Sequence, residues 1–356
     1  MSIHRIPVRV KNEYEVAIGR GLLEKSGALL IEVVGSCRIA IVTDSNVEKL
    51  YLQTVENSLD QAGYDVCSFV FPAGESAKRM HTLSDILEFL AKNRLSRGDC
   101  VVALGGGVTG DLSGFAAGCY LRGIRYVQLP TTLLAAVDSS VGGKTAVDLS
   151  AGKNLAGLFY QPSLVVCDPD CFSTLPDGEF ANGAAEAIKT GVLDGEPLFR
   201  LFETGNVREN IDEIVARCVA FKAGVVEADE FDSSLRNTLN LGHTAGHAIE
   251  ACSGYTIPHG QAVAIGLSII AKAAEALREA TEPISERIRH TLVQSGLPVT
   301  SPYSPEMLAS AALSDKKRAG GSIRIVLPRR IGDCALKTIP VGELLSVFRA
   351  GMEGDA

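Results

Sequence analysis

Six histidines stand in the 356-residue chain, and three of them fall between positions 243 and 259: His243, His247 and His259. The stretch Arg236-Asn-Thr-Leu-Asn-Leu-Gly-His-Thr-Ala-Gly-His-Ala-Ile-Glu250 is apolar and helix-forming. Histidines four apart on such a helix share one face, about one turn apart. His259 follows Pro258 and opens a second apolar helix over Gln261 to Leu277. Imidazoles gathered from two helix ends are ligands for a divalent ion, zinc above all. A lone histidine is more often a hydrogen-bonded core residue. Three in so short a span, with Arg236 and Asn240 expected on the same face, favour the metal. In Asn182-Gly-Ala-Ala-Glu-Ala-Ile-Lys-Thr-Gly191 a carboxylate, Glu186, lies three residues before Lys189 among small and apolar neighbours. A buried acid there needs a partner, either a metal or an i,i+3 salt bridge to Lys189. Lys222 and Arg236 add cations in the same half. A metal with an open position polarises an alcohol or carbonyl oxygen, and a nicotinamide beside it can take a hydride.

The elements that must position these groups divide the chain. Strands are expected at Ile6–Val10, Tyr14–Ile18, Arg38–Thr43, Val66–Phe71, Cys100–Leu104, Tyr126–Leu129 and Leu164–Cys167, with helices at about Val47–Ala62 and Lys78–Asn93. That alternation implies a mostly parallel sheet. After Leu175-Pro176 helical periodicity dominates to about Leu292, with a short strand pair at Ile323–Leu327 and Ala335–Ile339. The expected fold is α/β plus α: a Rossmann-like, mostly parallel α/β domain over 1–175, then a mainly α-helical metal-binding domain over 176–356.

Within the first half, Leu104-Gly-Gly-Gly-Val-Thr-Gly-Asp111 follows a buried strand and opens a helix, and Gly105, Gly107 and Gly110 satisfy G-x-G-x-x-G. Such a turn lets backbone amides approach a pyrophosphate at a helix N-terminus. No acidic residue ends a strand about twenty residues on, so the candidate ribose acid is Asp44, at the carboxyl end of Arg38–Thr43. A helix N-cap role competes for Asp44. Pro72-Ala-Gly-Glu-Ser-Ala-Lys78 is a second post-strand loop, with a charged pair. Gly142-Gly-Lys-Thr145 resembles the end of a P-loop, but Asp138 stands where the first glycine should be. With Gly152-Lys-Asn154 it reads instead as a polar anion-binding floor carrying Lys144 and Lys153.

A formal charge of −8 and 21% charged residues describe an ordinary globular protein and argue against a nucleic-acid or anionic-membrane binder. No run reaches the length of a membrane span, and the start lacks a signal-peptide core. Nine cysteines without a Cys-x-x-Cys pair read as reduced, buried thiols of a cytoplasmic protein.

Taken together, Gly105–Asp111, Tyr120–Gly123, Pro130–Thr145, Gly152–Asn154, Ala185–Gly191, Arg236–Glu250, His259–Val263 and Asp315–Lys317 resemble the 3-dehydroquinate synthase family along nearly the whole chain. The resemblance implies zinc, with cobalt as a possible substitute, on Glu186, His243 and His259. It sets His247 aside from the metal, in a proton-handling network beside the substrate. It implies that Lys144, Lys189, Lys222, Arg236 and Asn240 hold a phosphorylated sugar acid. Arg122 would reach the phosphate across a homodimer interface, and one of Lys316 and Lys317, with Lys317 the candidate, would also contact the substrate. NAD would lie against Asp44, Gly74, Glu75, Lys78, Gly106, Gly107, Val108, Asp111, Thr131, Thr132, Asp138, Lys144, Lys153, Asn154, Thr174 and Glu179. The implied reaction turns 3-deoxy-arabino-heptulosonate 7-phosphate into 3-dehydroquinate and phosphate, through transient oxidation at C5, elimination, re-reduction and an aldol closure. Ala136, Ala187 and Thr190 depart from the family's usual Gln, Val and Tyr, and they flank the functional positions without replacing them. Two other readings compete: a metal-dependent polyol dehydrogenase of the glycerol dehydrogenase type, and a nucleotide-sensing module without chemistry.

Overall fold

Arg38–Asp44 and Cys100–Gly105 are apolar almost throughout and buried along nearly their full length. That is the signature of parallel strands covered on both faces. In the computed structural model, which describes residues 3–316 and 321–354, they occupy the middle of a seven-stranded sheet. Its strands are β1 (His4–Val8), β2 (Tyr14–Ile18), β3 (Arg38–Asp44), β4 (Asp65–Phe71), β5 (Cys100–Gly105), β6 (Arg125–Pro130) and β9 (Leu164–Cys167), in the order β1-β2-β9-β6-β5-β3-β4. β1 and β2 form an antiparallel hairpin, with His4 opposite Ile18, and every other neighbouring pair is parallel. The helices between them are α1 (Ser26–Val34), α2 (Gln53–Gln61), α3 (Met80–Lys92) and α4 (Gly107–Cys119). The strand order reverses between β3 and β5, so the carboxyl ends of these two strands flank a topological switch point, where open α/β sheets bind ligands.

Three local features differ from the expectation. Strand β1 starts and ends two residues early, because its register runs from His4 to Val8 opposite β2. The single helix expected from Val47 is a π-turn, Glu48–Leu52, followed by α2. Lys144–Leu149 (β7) and Gly152–Phe159 (β8) form a separate antiparallel hairpin. Most of β8 is exposed, so it carries none of the apolar alternation that marks a half-buried strand.

By packing, the chain forms two units. One runs up to Leu175 and also takes in Lys222–Phe231; the other is Pro176–Phe221 with the residues from Asp232 onward. The second unit contains α5 (Asp177–Asp194), α6 (Glu196–Glu203) and the start of α7 (Ile211–Ala228). It continues with α8 (His243–Cys252), α9 (His259–Ala276), α10 (Ser285–Gln294), α11 (Pro305–Lys316), the hairpin β10 (Ser322–Arg330) and β11 (Asp333–Pro340), and α12 (Leu344–Met352). Helix α9 is the axis of this unit. Its residues from Ala262 to Ala271 are all buried, and it packs against α5, α8, α10 and α12. Gly260 sets the distance to α5: a Cβ there would lie 2.2 Å from the Asn182 carbonyl oxygen, too close for any other residue without a helix shift.

Candidate metal centre and nucleotide loops

The close packing of α5, α8 and α9 brings three side chains to one point of the second unit. Glu186 projects from the middle of α5, His243 opens α8, and His259 opens α9. Glu186 Oε1 lies 3.2 Å from His259 Nε2 and 3.5 Å from His243 Nε2. A tetrahedral ion with bonds of about 2.0–2.1 Å keeps its ligand atoms roughly 3.3 Å apart. The separations found here bracket that value, and one carboxylate oxygen with two imidazole nitrogens is a donor set that suits zinc or cobalt. Glu186 is 1% exposed, and among the described residues neither of its carboxylate oxygens completes a well-formed hydrogen bond. Lys189 Nζ lies 2.6 Å from the other oxygen, Oε2. The i,i+3 ion pair and the metal-type cluster therefore coexist, one on each carboxylate oxygen.

His247 is on the same face of α8, with its ring centre 5.3 Å from that of His243 and 6.0 Å from that of His259. It is exposed, unlike the other two. Arg236 and Asn240 do not continue this face, as had been expected. They lie in a 3-10 turn, Leu235–Asn240, and Gly242, at φ 78°, redirects the chain before α8 begins. Arg236 is buried and Asn240 exposed.

Charge in this cluster is finely divided. Burial alone would raise the Glu186 carboxyl, but the Lys189 ammonium beside it, foremost, holds it well below the usual range. Burial, and next the Lys189 charge, push His243 down to about 3. For His259, burial is outweighed by the two carboxylates beside it, Glu186 and Glu250, which raise it to about 10. Glu250, buried on α8, was missed in the sequence; the signal was there, since it stands seven residues after His243 and so shares its face.

In the first unit, β5 ends at Gly105 and α4 opens at Gly107, so the glycine motif does form a strand–turn–helix. Asp44, ending β3, is divided between its two readings. Oδ1 accepts from the Asn46 and Val47 amides at 2.9 and 3.1 Å, as a cap would, while Oδ2 faces the Thr109 hydroxyl of α4 at 3.4 Å. Lys78, 6% exposed, joins Asp111 at 2.6 Å and the Asn154 side chain at 2.5 Å. Burial raises the Asp111 carboxyl to about 6 despite that lysine. Asp148, unremarked in the sequence, is buried and holds the Asn154 amide at 2.8 Å. Lys153 reaches Glu75 at 3.6 Å. Lys222 donates to Asp138, both to its carbonyl and, at 2.8 Å, to its carboxylate; Asp138 sits in a π-turn, Ala135–Ser139.

Two family models match the chain: 3-dehydroquinate synthase N-terminal over residues 68–182, and 3-dehydroquinate synthase C-terminal over residues 183–318. The 3-dehydroquinate synthase of Streptococcus suis is 41% identical over 343 residues, covering 94% of this chain and 97% of its own. That of Pelobacter propionicus is 44% identical over 351 residues, covering 96% and 97%. The chain belongs to the 3-dehydroquinate synthase family. Among solved structures it is similar to a 2-deoxy-scyllo-inosose synthase complexed with carbaglucose-6-phosphate, NAD+ and Co2+ (TM-score 0.87, 26% identity, covering 98% of this chain and 99% of that one). It is also similar to the 2-epi-5-epi-valiolone synthase of Streptomyces hygroscopicus with NAD+ and Zn2+ (0.86, 27%, 98% and 99%). A glycerol dehydrogenase from Schizosaccharomyces pombe shares the fold alone, at 17% identity and TM-score 0.63, covering 94% and 88%.

The remaining positions singled out on the family's pattern are scattered through both units. Thr131 is buried, with its hydroxyl unpartnered among the described residues, while the Thr132 hydroxyl accepts from the Ala135 amide at 3.1 Å. The Thr174 hydroxyl meets Tyr51 Oη at 2.5 Å. Gly74, at φ 109°, precedes Glu75. Lys144 is exposed at the start of β7, Glu179 is exposed in the first turn of α5, and Arg122 is exposed with a left-handed backbone (φ 68°). Lys317 lies outside the described residues. None of the nine cysteines is disulfide-bonded; four are buried, four intermediate and Cys119 exposed, so burial is only partial. No helix among the described residues is long and apolar enough to cross a membrane.

Proposed function

We propose that this member of the family converts 3-deoxy-arabino-heptulosonate 7-phosphate to 3-dehydroquinate and inorganic phosphate as an NAD- and metal-dependent carbon–oxygen lyase. The observation that carries this reading is the convergence of Glu186, His243 and His259, at separations that suit one tetrahedral ion, with Lys189 beside them. Those three residues would hold the divalent ion, which supplies Lewis acidity to the substrate's hydroxyl groups. NAD, at the Gly106–Gly107 turn with Asp44, Lys78, Asp111 and Asn154, would supply a hydride acceptor at C5 that is restored within each turnover.

The chain's own residues do the rest. Lys189, Arg236 and Asn240 in the second unit, and Arg122, Lys144 and Lys222 in the first, are the groups for the substrate's phosphate, carboxylate and hydroxyls. Cations matter most at the elimination, where a phosphate dianion leaves and its charge must be stabilised. Burial keeps Lys189 and Arg236 out of bulk water, where their attraction for an anion would be screened. His247, exposed beside the two candidate ligands, suits proton transfer with substrate hydroxyls. The exposed Arg122 is the group that a homodimer would lend to the neighbouring subunit.

The test is phosphate release from the heptulosonate 7-phosphate with catalytic NAD and zinc, with absorbance followed at 340 nm. Phosphate without lasting NADH is expected. NADH accumulating without phosphate would replace this reading with a polyol dehydrogenase. Turnover only of a different sugar phosphate would make the chain a cyclase of another substrate.

A further inference from the structure

We infer that Glu250 is a positioning residue of the metal centre, orienting His259 and contributing the negative charge that a buried dication requires. The inference rests on the metal reading above and adds to it a residue that does not itself join the cluster around Glu186.

Glu250 is 3% exposed on α8, two turns beyond His243 on the same face. A carboxylate so buried is costly unless something compensates it. Its Oε2 lies 3.1 Å from His259 Nδ1, on the far side of the ring from the Nε2 that faces Glu186. An imidazole whose Nδ1–H is given to a carboxylate presents its Nε2 lone pair on the opposite edge, which fixes both tautomer and ring orientation. The connection from α8 to α9 keeps this contact in register. The Tyr255 amide and the Ser253 hydroxyl both return to the Glu250 carbonyl at 2.8 Å, and the Ile257 amide then donates to Ser253 Oγ at 3.2 Å. His259 is thereby brought back over Glu250 within nine residues.

Charge counting supports the same role. Glu186 is ion-paired with Lys189 at 2.6 Å, so that pair offers a dication little net counter-charge. Glu250 adds a second carboxylate, in contact with His259 at 3.1 Å. The competing arrangement is a second ion on His247, Glu250 and His259, whose donor atoms also lie within 4.8 Å of one another. An ion there taking His259 Nδ1 would break the hydrogen bond on which the orientation depends.

The experiment is a Co2+ titration of the full-length, metal-stripped protein and of E250Q, E250A and H259A, reading the dissociation constant, the visible cobalt band and the melting temperature without metal. One Co2+ per chain is expected in the parent. E250Q, which keeps shape and an acceptor but loses charge, should bind about tenfold more weakly, and E250A up to about 100-fold more weakly with an altered band. The melting temperature of metal-free E250Q should fall little, which separates positioning from a structural loss. Parent-like affinity and band in both Glu250 variants would overturn the inference. So would two Co2+ per parent chain with one lost in each Glu250 variant. Parent-like binding by H259A would instead overturn the metal centre itself.

Discussion

Which imidazoles of a histidine cluster meet a metal is decided by fractions of a helix turn. Spacing put His243 and His247 on one face and brought His259 near them, and that much was legible. It did not separate the pair from the outlier, because residues four apart on a helix are equally well placed to meet a third group. The resemblance to the family made that separation; in the structure the buried Glu186 carboxylate lies within 3.5 Å of His243 and His259, and His247 is exposed. His259→Ala should therefore lose bound metal and activity together, whereas His247→Ala should keep its metal and turn over slowly. Metal analysis and kcat on the two purified variants check this, and full metal retention by His259→Ala would remove it from the ligand set. Glu250 was overlooked for a different reason, although its spacing places it on the face of His243. A single acid on an amphipathic helix is normally solvated, and only the return of α9 over α8 reveals its partner.

At the scale of elements, the alternation of apolar strands and amphipathic helices announced the parallel sheet, since strands buried on both faces are continuous apolar runs. The β7–β8 hairpin and the 3-10 turn before α8 gave no such signal, being short and half-exposed. Helix packing was equally silent, because glycine in a helix has many possible causes. Gly260→Ala should force α9 away from the Asn182 carbonyl and carry His259 with it, so metal affinity should drop well before the helix content does. Circular dichroism alongside a metal titration measures both. The tie between α6 and α10 is electrostatic: Arg287 meets Glu196 at 2.8 Å and Glu203 at 3.0 Å. Hydrogen bonding to Arg287 leads in lowering the Glu196 carboxyl to about 2. A carboxyl lowered in the folded state stabilises above its unfolded value near 4.5 and loses that contribution as pH falls toward 2. The tie is half-exposed, so the effect is small. The urea midpoint of the parent should exceed that of Arg287→Ala more at pH 7 than at pH 3. An equal gap at both values would mean that the ion pairs contribute nothing and that only packing over Phe199, 5.4 Å from the guanidinium, was lost.

For the whole molecule, the change of character at Leu175-Pro176 was visible, because a β/α rhythm gives way there to unbroken helical periodicity. What periodicity could not convey is that Lys222–Phe231 belongs to the packing of the first unit. Helix α7 runs without a break from Ile211 to Ala228, and its pattern carries no mark at Phe221. Contacts that tie this segment back include the Arg9 and Lys11 amides, which donate to Glu227 and Glu230 at 2.8 and 3.2 Å, the Gln161 side chain, which donates to Glu230 at 3.1 Å, and the bond from Lys222 to Asp138. Lys222, a candidate substrate group, is thereby held through Asp138 by the α/β unit, although it stands among helical residues in the sequence. For recombination between relatives, one crossover at 175/176 would therefore pair each sheet with a foreign copy of this segment. Exchanging the units intact takes three joints, at 175/176, 221/222 and 231/232, and a library of hybrids should be enriched in functional members only where all three are respected.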